Sequence, residues 1–274
     1  MIYGAEHLTR WSPESNVKGT VVLVHGLAEH AGRYERTATL LAESGYSVVA
    51  PDLFGFGRSG GDRAYIREWS DYWGQIAALV TETRNSSGAP VVLLGHSLGG
   101  LIAASYGLSH NPQPDYLVLS APSIGGGAWW QKALAPVLAA VAPKLLVPNA
   151  LEGSQLSRDP DVGEAYFADP LVFTKSTAHL GNEIFSTQAD VSSRLHEWHL
   201  PTLVMHGGAD TIVPARTSAA LADLPPVERR LYPKLRHEIF NEPEGPALVS
   251  EVVEWLDHKL TARSESIPED QDLP

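Results

Sequence analysis

Six short β-branched runs recur in this chain, Thr20 to His25, Tyr46 to Pro51, Pro90 to Gly95, Tyr116 to Ser120, Thr202 to His206 and, more weakly, Glu228 to Tyr232, and several of them set apolar residues side by side instead of at every second position. Successive side chains of a strand point to opposite faces, so an unbroken apolar run needs both faces covered, which is the condition of a parallel sheet sandwiched between helices. The intervening stretches supply those helices. Arg33 to Ser44, Ile66 to Asn85, Leu98 to His110, Ala215 to Asp223 and Glu244 to Leu260 carry apolar residues at helical spacing, and the resulting alternation reads as a doubly wound α/β fold.

The alternation breaks once. From Ser123 to about Thr187 the chain is rich in Gly, Pro, Trp and Leu and contains no convincing strand, which predicts an inserted, mostly helical cap over residues 123–187. The core is then expected from 1–122 and 188–260, with an acidic flexible tail over 261–274. Ala128 to Pro148 is apolar and about long enough to span a bilayer, but it holds Lys132, Lys144, Pro136, Pro143 and Pro148, so an interfacial or lid segment is the better reading. Nothing in Met1 to Ser15 pairs a basic stretch with an apolar one, and a cytoplasmic location is the expectation.

Charge narrows the partners. Twenty Lys and Arg against 32 Asp and Glu leave a formal charge of −12, which repels nucleic acid and favours an uncharged small-molecule substrate. With no cysteine in the chain, thiol catalysis and thiolate metal sites are excluded.

Chemistry concentrates at Gly95-His96-Ser97-Leu98-Gly99, a G-x-S-x-G placed between the strand run Val91 to Leu94 and a helix starting at Leu98. A tight strand-to-helix turn needs flanking residues without a Cβ, and it lifts the serine hydroxyl to the carboxyl edge of the sheet. Serine is a weak nucleophile at neutral pH, so it needs a base, and the base needs an acid to fix its tautomer. In this topology the acid follows the nucleophile and the base comes last. Asp210 ends the buried run Leu203 to His206 through a Gly turn, and His237 sits in the loop before the last helix. The preceding strand ends in Leu119-Ser120-Ala121-Pro122 without an acid, so Ser97, Asp210 and His237 form the candidate triad. The backbone N–H groups of Leu98 and of Leu27, in the loop after an earlier strand, are the candidate oxyanion donors. His25, His96 and His206 fall at strand ends near the same edge and are expected as hydrogen-bonded neighbours of the site.

Three other motifs are set aside. Gly55 to Gly60 matches G-x-G-x-x-G, but the residues about 20 positions on read as helix, not as a strand ending in a ribose-binding acid. Asn85-Ser86-Ser87 is a glycosylation sequon without a secretory leader to expose it. No metal-ligand spacing of the H-E-x-x-H kind occurs, so neither metal nor cofactor is expected.

Taken together, the segments His25 to Tyr34, Gly95 to Gly99, Leu119 to Pro122, Ser157 to Pro160, Ala165 to Leu171, His206 to Asp210 and His237 to Glu242 resemble the bacterial monoacylglycerol lipases of the α/β-hydrolase fold. The resemblance runs from about residue 18 to 260, and its most specific parts are H-G-x-x-E-H-x-x-R-Y and the segment around Tyr166. It implies a cofactor-free serine hydrolase that splits a monoacylglycerol into glycerol and fatty acid. It also implies that Trp129, Trp130, Leu134, Val137, Leu138, Leu145 and Leu146 cover an acyl tunnel and can touch a lipid interface. By the same resemblance Glu29, Arg33, His96 and Tyr166 meet the glycerol end. Two departures stand out: Ala28 replaces the family's usual Gly in the oxyanion loop, and Leu53-Phe54 replaces a polar pair. A carboxylesterase or lysophospholipase, and a binding-only hydrolase fold, are the alternative readings.

Overall fold

The computed structural model describes residues 3–14 and 16–266. In chain order its elements are β1 (Leu8–Trp11), β2 (Gly19–Val24), α1 (Glu35–Glu43), β3 (Tyr46–Pro51), α2 (Ser70–Ser87), β4 (Val91–His96), α3 (Leu98–Gly107) and β5 (Tyr116–Ser120). There follow α4 (Trp129–Val141), β6 (Leu146–Pro148), α5 (Gly153–Leu156), α6 (Pro160–Ala168), β7 (Lys175–Thr177) and α7 (Ala178–Ser193), and finally β8 (Thr202–Gly207), β9 (Val227–Tyr232) and α8 (Gly245–Ser266). Among the described residues, seven strands form one sheet in the order β1-β3-β2-β4-β5-β8-β9, with β1 antiparallel to β3 and every other pair parallel.

The consecutive apolar runs do what two-sided burial requires. In β2, Val21 and Leu23 point into a core built with Leu41 of α1 and with Leu248 and Trp255 of α8. Val22 and Val24 point the other way, into a second core with Ile76 of α2 and Leu101 of α3. All six residues of β2, β4 and β8 are buried, whereas β9, at the sheet edge, has four half-buried and two exposed residues.

Several elements differ from the sequence expectation. β1 carried no signal because it is four residues long and half-buried, with apolar Leu8 and Trp11 at its ends. The insert between β5 and β8 holds two strands after all, β6 and β7, three residues each and paired antiparallel, too short to show a period. Residues Ala215–Asp223 wind as a 3-10 helix. Helix α7 runs straight through Thr187 and packs against both α3 and α4, so no element ends at that expected boundary. The last helix continues to Ser266, six residues into the stretch expected as tail; residues 267–274 lie outside the described residues. No helix among the described residues is long and apolar enough to cross a membrane.

The segment between β5 and β8 is fastened to the loops that border the sheet's carboxyl edge. The carboxylate of Glu242, fully buried, accepts the N–H of Arg236 (2.7 Å) from its own loop and the N–H of Arg158 (2.9 Å) from the insert. Glu238 N–H donates to the Leu156 carbonyl (2.8 Å) beside it.

Candidate active site

Ser97 links β4 to α3 with φ +52° and ψ −112°. A left-handed φ at a non-glycine residue is strained, typically by about 1–3 kcal/mol, and persists only where the surroundings enforce it. Here the enforcement comes from both sides: Ser97 N–H donates to the Ser120 carbonyl (3.0 Å), and its own carbonyl accepts from Leu101 and Ser123 (3.1 and 3.0 Å). The flanking glycines are dictated by space. A Cβ on Gly95 would stand 2.2 Å from the Gly99 carbonyl oxygen, and one on Gly99 would stand 2.1 Å from that of Val24.

Asp210 and His237 meet across 27 residues of chain, with His237 Nδ1 2.7 Å from Asp210 Oδ2. The other oxygen, Oδ1, accepts the N–H groups of Ile212 and Val213, each at 2.9 Å. Burial alone would raise the Asp210 carboxyl above the usual range; the hydrogen bonds from His206 and His237, the positive field of His237 and the Val213 amide outweigh it and hold the group well below. The fold thus favours the carboxylate form of Asp210. His206, fully buried, has Nε2 2.8 Å from the Val213 carbonyl and 3.4 Å from Asp210 Oδ2. It thus stands beside the same carboxylate oxygen that faces His237.

Ser97 and His237 line the same cavity, of about 290 Å³, together with Leu27, Glu29, His96 and Tyr166. Arg33 is not on that wall. Its guanidinium lies 4.6 Å over the Tyr166 ring and forms ion pairs with Glu29 and, through two nitrogens at 2.7 and 2.9 Å, with Glu238. Glu29 is equally occupied: Oε1 accepts from Gly26 N–H (2.6 Å) and the Tyr34 hydroxyl (2.7 Å), and Oε2 pairs with Arg33. Burial opposes the charge on both members of this pair; Arg33 and His25 hold Glu29 below its ordinary value, and Glu29 with Glu238 hold Arg33 above its own. Tyr166 differs, for its hydroxyl is buried yet finds no hydrogen-bond partner among the described residues. Burial pushes that phenol's pKa up, so it stays a proton donor.

His96 is no rival to His237. Burial, then the positive field of His237, whose ring centroid is 4.7 Å away, push its pKa down to about 3, and its Nδ1 is bonded to Ser120 Oγ at 3.1 Å. The Glu238 carboxylate also belongs to this network, although nothing in the sequence beyond its place in the His237 to Glu242 segment singles it out.

The backbone donors are arranged by their neighbours. Leu98 is the first residue of α3, where an N–H has no acceptor within the helix and the helix dipole favours an anion. On the other loop, His25 Nε2 accepts the Leu53 N–H (2.9 Å), which leaves the proton on Nδ1, 2.7 Å from the Gly26 carbonyl. In a trans peptide C=O and N–H point in opposite directions, so holding the Gly26 carbonyl also aims the Leu27 N–H. Ala28 has φ +74°, which accounts for a glycine preference at that position. The Gly55–Gly60 stretch is a series of turns, with the Arg58 N–H bonded to Asp52 Oδ2 (2.8 Å).

A mostly parallel sheet that raises a strained serine into a cavity shared with a carboxylate-paired histidine defines an α/β hydrolase of the serine class. A family model described as serine aminopeptidase, S33, matches residues 15–244, and the chain belongs to that family. Within it the resemblance to monoacylglycerol lipases is borne out. The chain is 37% identical to the monoacylglycerol lipase of Mycolicibacterium smegmatis over 254 residues, covering 90% of each chain. It is 32% identical to the phospholipase YtpA of Bacillus subtilis, covering 85% of this chain and 93% of that one. The crystal structure of Paleococcus ferrophilus monoacylglycerol lipase superposes with a TM-score of 0.84 at 31% identity, covering 92% of this chain and 98% of that one.

Proposed function

We propose that the protein hydrolyses monoacylglycerols through an acyl-serine intermediate, with Ser97 as nucleophile, His237 as base and Asp210 as its orienting acid. Ser97 Oγ attacks the ester carbonyl carbon as its proton passes to His237, and the carbonyl oxygen takes up negative charge facing the Leu27 and Leu98 N–H groups. Collapse breaks the ester bond, and His237 returns the proton to the departing glycerol oxygen. Water, deprotonated by the same histidine, then releases the fatty acid and restores Ser97.

The observation that carries this reading is the cavity shared by Ser97, His237 and Tyr166, with the buried Tyr166 hydroxyl at its wall left without a hydrogen-bond partner among the described residues. A buried donor without an acceptor is costly, and a glycerol hydroxyl would relieve it. Glu29 and Arg33, whose polar atoms are already engaged, act in this reading as the frame of the pocket, while His96 forms part of its wall. For the acyl end, a second, apolar cavity of about 210 Å³ lies beneath α4, lined by Trp130, Leu134 and Leu138 among others. It shares Gln131, Pro148, Asn149, Ser176, Gly181 and Phe185 with the first. In this reading the 123–187 segment is the cap over both cavities. Trp129 and Val141, 81% and 74% exposed, with Trp130 and Val137 between them, form an apolar α4 face suited to touching a lipid surface.

The test is hydrolysis of a medium-chain monoacylglycerol beside a diacylglycerol, a lysophospholipid and an aminoacyl anilide, by wild type, Ser97→Ala and Tyr166→Phe. Among those four substrates, activity confined to the monoacylglycerol and abolished in Ser97→Ala is the expected result; Tyr166→Phe should lower it while leaving hydrolysis of the methyl ester of the same acid, assayed alongside, unchanged. Activity of Ser97→Ala equal to wild type overturns the mechanism. Ser97-dependent activity on the lysophospholipid alone overturns the substrate assignment.

A further inference from the structure

The two most specific segments of the sequence, His25 to Tyr34 and Ala165 to Leu171, lie far apart in the chain and come together at the oxyanion loop. His30 Nε2 is 2.8 Å from Asp169 Oδ2 across 139 residues. His30 Nδ1 accepts the Gly32 N–H at 3.2 Å, which leaves the ring proton on Nε2, the nitrogen that faces Asp169. The other oxygen of Asp169 accepts the Leu171 N–H at 2.8 Å, so the carboxylate closes the turn after α6 while holding His30.

Two further contacts run in parallel. Phe173 N–H, a few residues past that turn, donates to the Ala28 carbonyl at 2.8 Å. Ala28 and Leu27 also pack against Leu156 and Tyr166 of the insert in a small apolar cluster of their own. Together these grip a loop whose backbone needs gripping, because Ala28 sits at φ +74°, where a residue with a Cβ does not stay by itself. Its neighbour on one side is Leu27, whose N–H is the proposed oxyanion donor.

We propose that Asp169 is a positioning residue for the oxyanion hole: acting through His30, and together with the Phe173 N–H, it holds the loop from Gly26 to His30 so that the Leu27 N–H meets the developing oxyanion. The inference rests on the acyl-transfer reading above. It assigns to the insert a part in the chemistry as well as in covering the cavity, since the oxyanion donor is aligned only while the stretch from Tyr166 to Phe173 is seated. Neither His30 nor Asp169 lines the cavity, so both act without touching substrate.

The experiment compares wild type, His30→Ala, Asp169→Ala, the double variant and His30→Gln, the last of which keeps a donor at the reach of Nε2. Active enzyme is counted by end-point titration with a fluorophosphonate, and thermal unfolding confirms that each variant is folded at the assay temperature. The readouts are kcat and KM on one monoacylglycerol and the affinity for a trifluoromethyl ketone analogue of the tetrahedral intermediate. The expected result is a fall in kcat of roughly ten- to a hundredfold in either alanine variant, with KM within about twofold and analogue affinity falling in parallel. The double variant should be no worse than either single one, and His30→Gln should recover most of the loss. Unchanged kcat and analogue affinity in folded alanine variants overturn the proposal. So does a loss confined to KM, or two single effects that multiply in the double variant. Wild type that fails to be titrated by the fluorophosphonate would instead overturn the Ser97 assignment, which separates the two failures.

Discussion

Replacing Asp210 by Asn tests the site more sharply than deleting any of its members, because the fold dictates how the amide must sit. Oδ1 accepts two backbone N–H groups at 2.9 Å, while Oδ2 faces His237 Nδ1 at 2.7 Å. An asparagine that turned its NH2 toward Ile212 and Val213 would leave the buried Val213 amide and the part-buried Ile212 amide facing a donor, at about 1–3 kcal/mol for the buried one. The cheaper orientation keeps its oxygen there and presents NH2 to His237. A donor then faces Nδ1, so the imidazole must carry its proton on Nε2 and offer a lone pair at Nδ1. That is the wrong tautomer, since Nε2 is the nitrogen needed to accept the Ser97 proton. His206 Nε2, 3.4 Å from the same position, adds a second donor that disfavours the NH2 group but leaves the two backbone amides in command. In serine proteases the same substitution costs about 10⁴ in kcat, equivalent to about 5.5 kcal/mol of transition-state stabilisation. We expect a loss of that order for Asp210→Asn at neutral pH on a soluble ester, with KM little changed. Turnover within tenfold of wild type, per titrated site, would show that His237 does not depend on Asp210 for its tautomer and would refute the argument.

Three further outcomes follow from the same geometry. His96 is neutral in the fold down to about pH 3 and has an unfolded value near 6.5, so the unfolded chain binds the extra proton and stability falls as pH drops from 6.5 toward 3. Urea unfolding at pH 7 and pH 5 should therefore show about 2 kcal/mol less acid destabilisation in His96→Gln than in wild type; equal slopes would refute it. Gly99→Ala drives a Cβ to within 2.1 Å of the Val24 carbonyl oxygen and 2.6 Å of that of His25, with no flexible side chain to yield. The variant should lose more than about 4 kcal/mol or fail to fold, as judged by thermal unfolding. Gly74→Ala, exposed in α2 with nothing within 4 Å, should instead gain up to about 1 kcal/mol, and a loss there would count against the helix assignment.

The elements that were legible in the sequence are those whose signal is local and repeated. Buried strands β2 to β5 and β8 announced themselves through runs of three or four apolar residues, and the elbow through glycines that a tight turn demands. The order of nucleophile, acid and base followed from the same strand ends, and the structure pairs Asp210 with His237. What escaped was short or mixed. β6 and β7, three residues each, cannot display a period, and α8 runs on into a polar stretch because a helix end carries less signal than a helix face.

By itself the sequence determined the buried strands of the sheet, the need to cover both their faces and the serine turn, because steric limits on the backbone and the periodicity of side chains act within a few residues. It did not determine what the polar residues of the resembling motifs hold. Arg33 finds Glu238 205 residues away and His30 finds Asp169 at 139, and such pairs exist only once packing brings two loops together. The same holds for Tyr166, whose unpartnered hydroxyl is a property of its surroundings and not of its position in the chain. Propensity and pattern are summed over neighbours in sequence, whereas hydrogen-bond satisfaction is decided among neighbours in space, and the candidate site is built almost entirely from the latter.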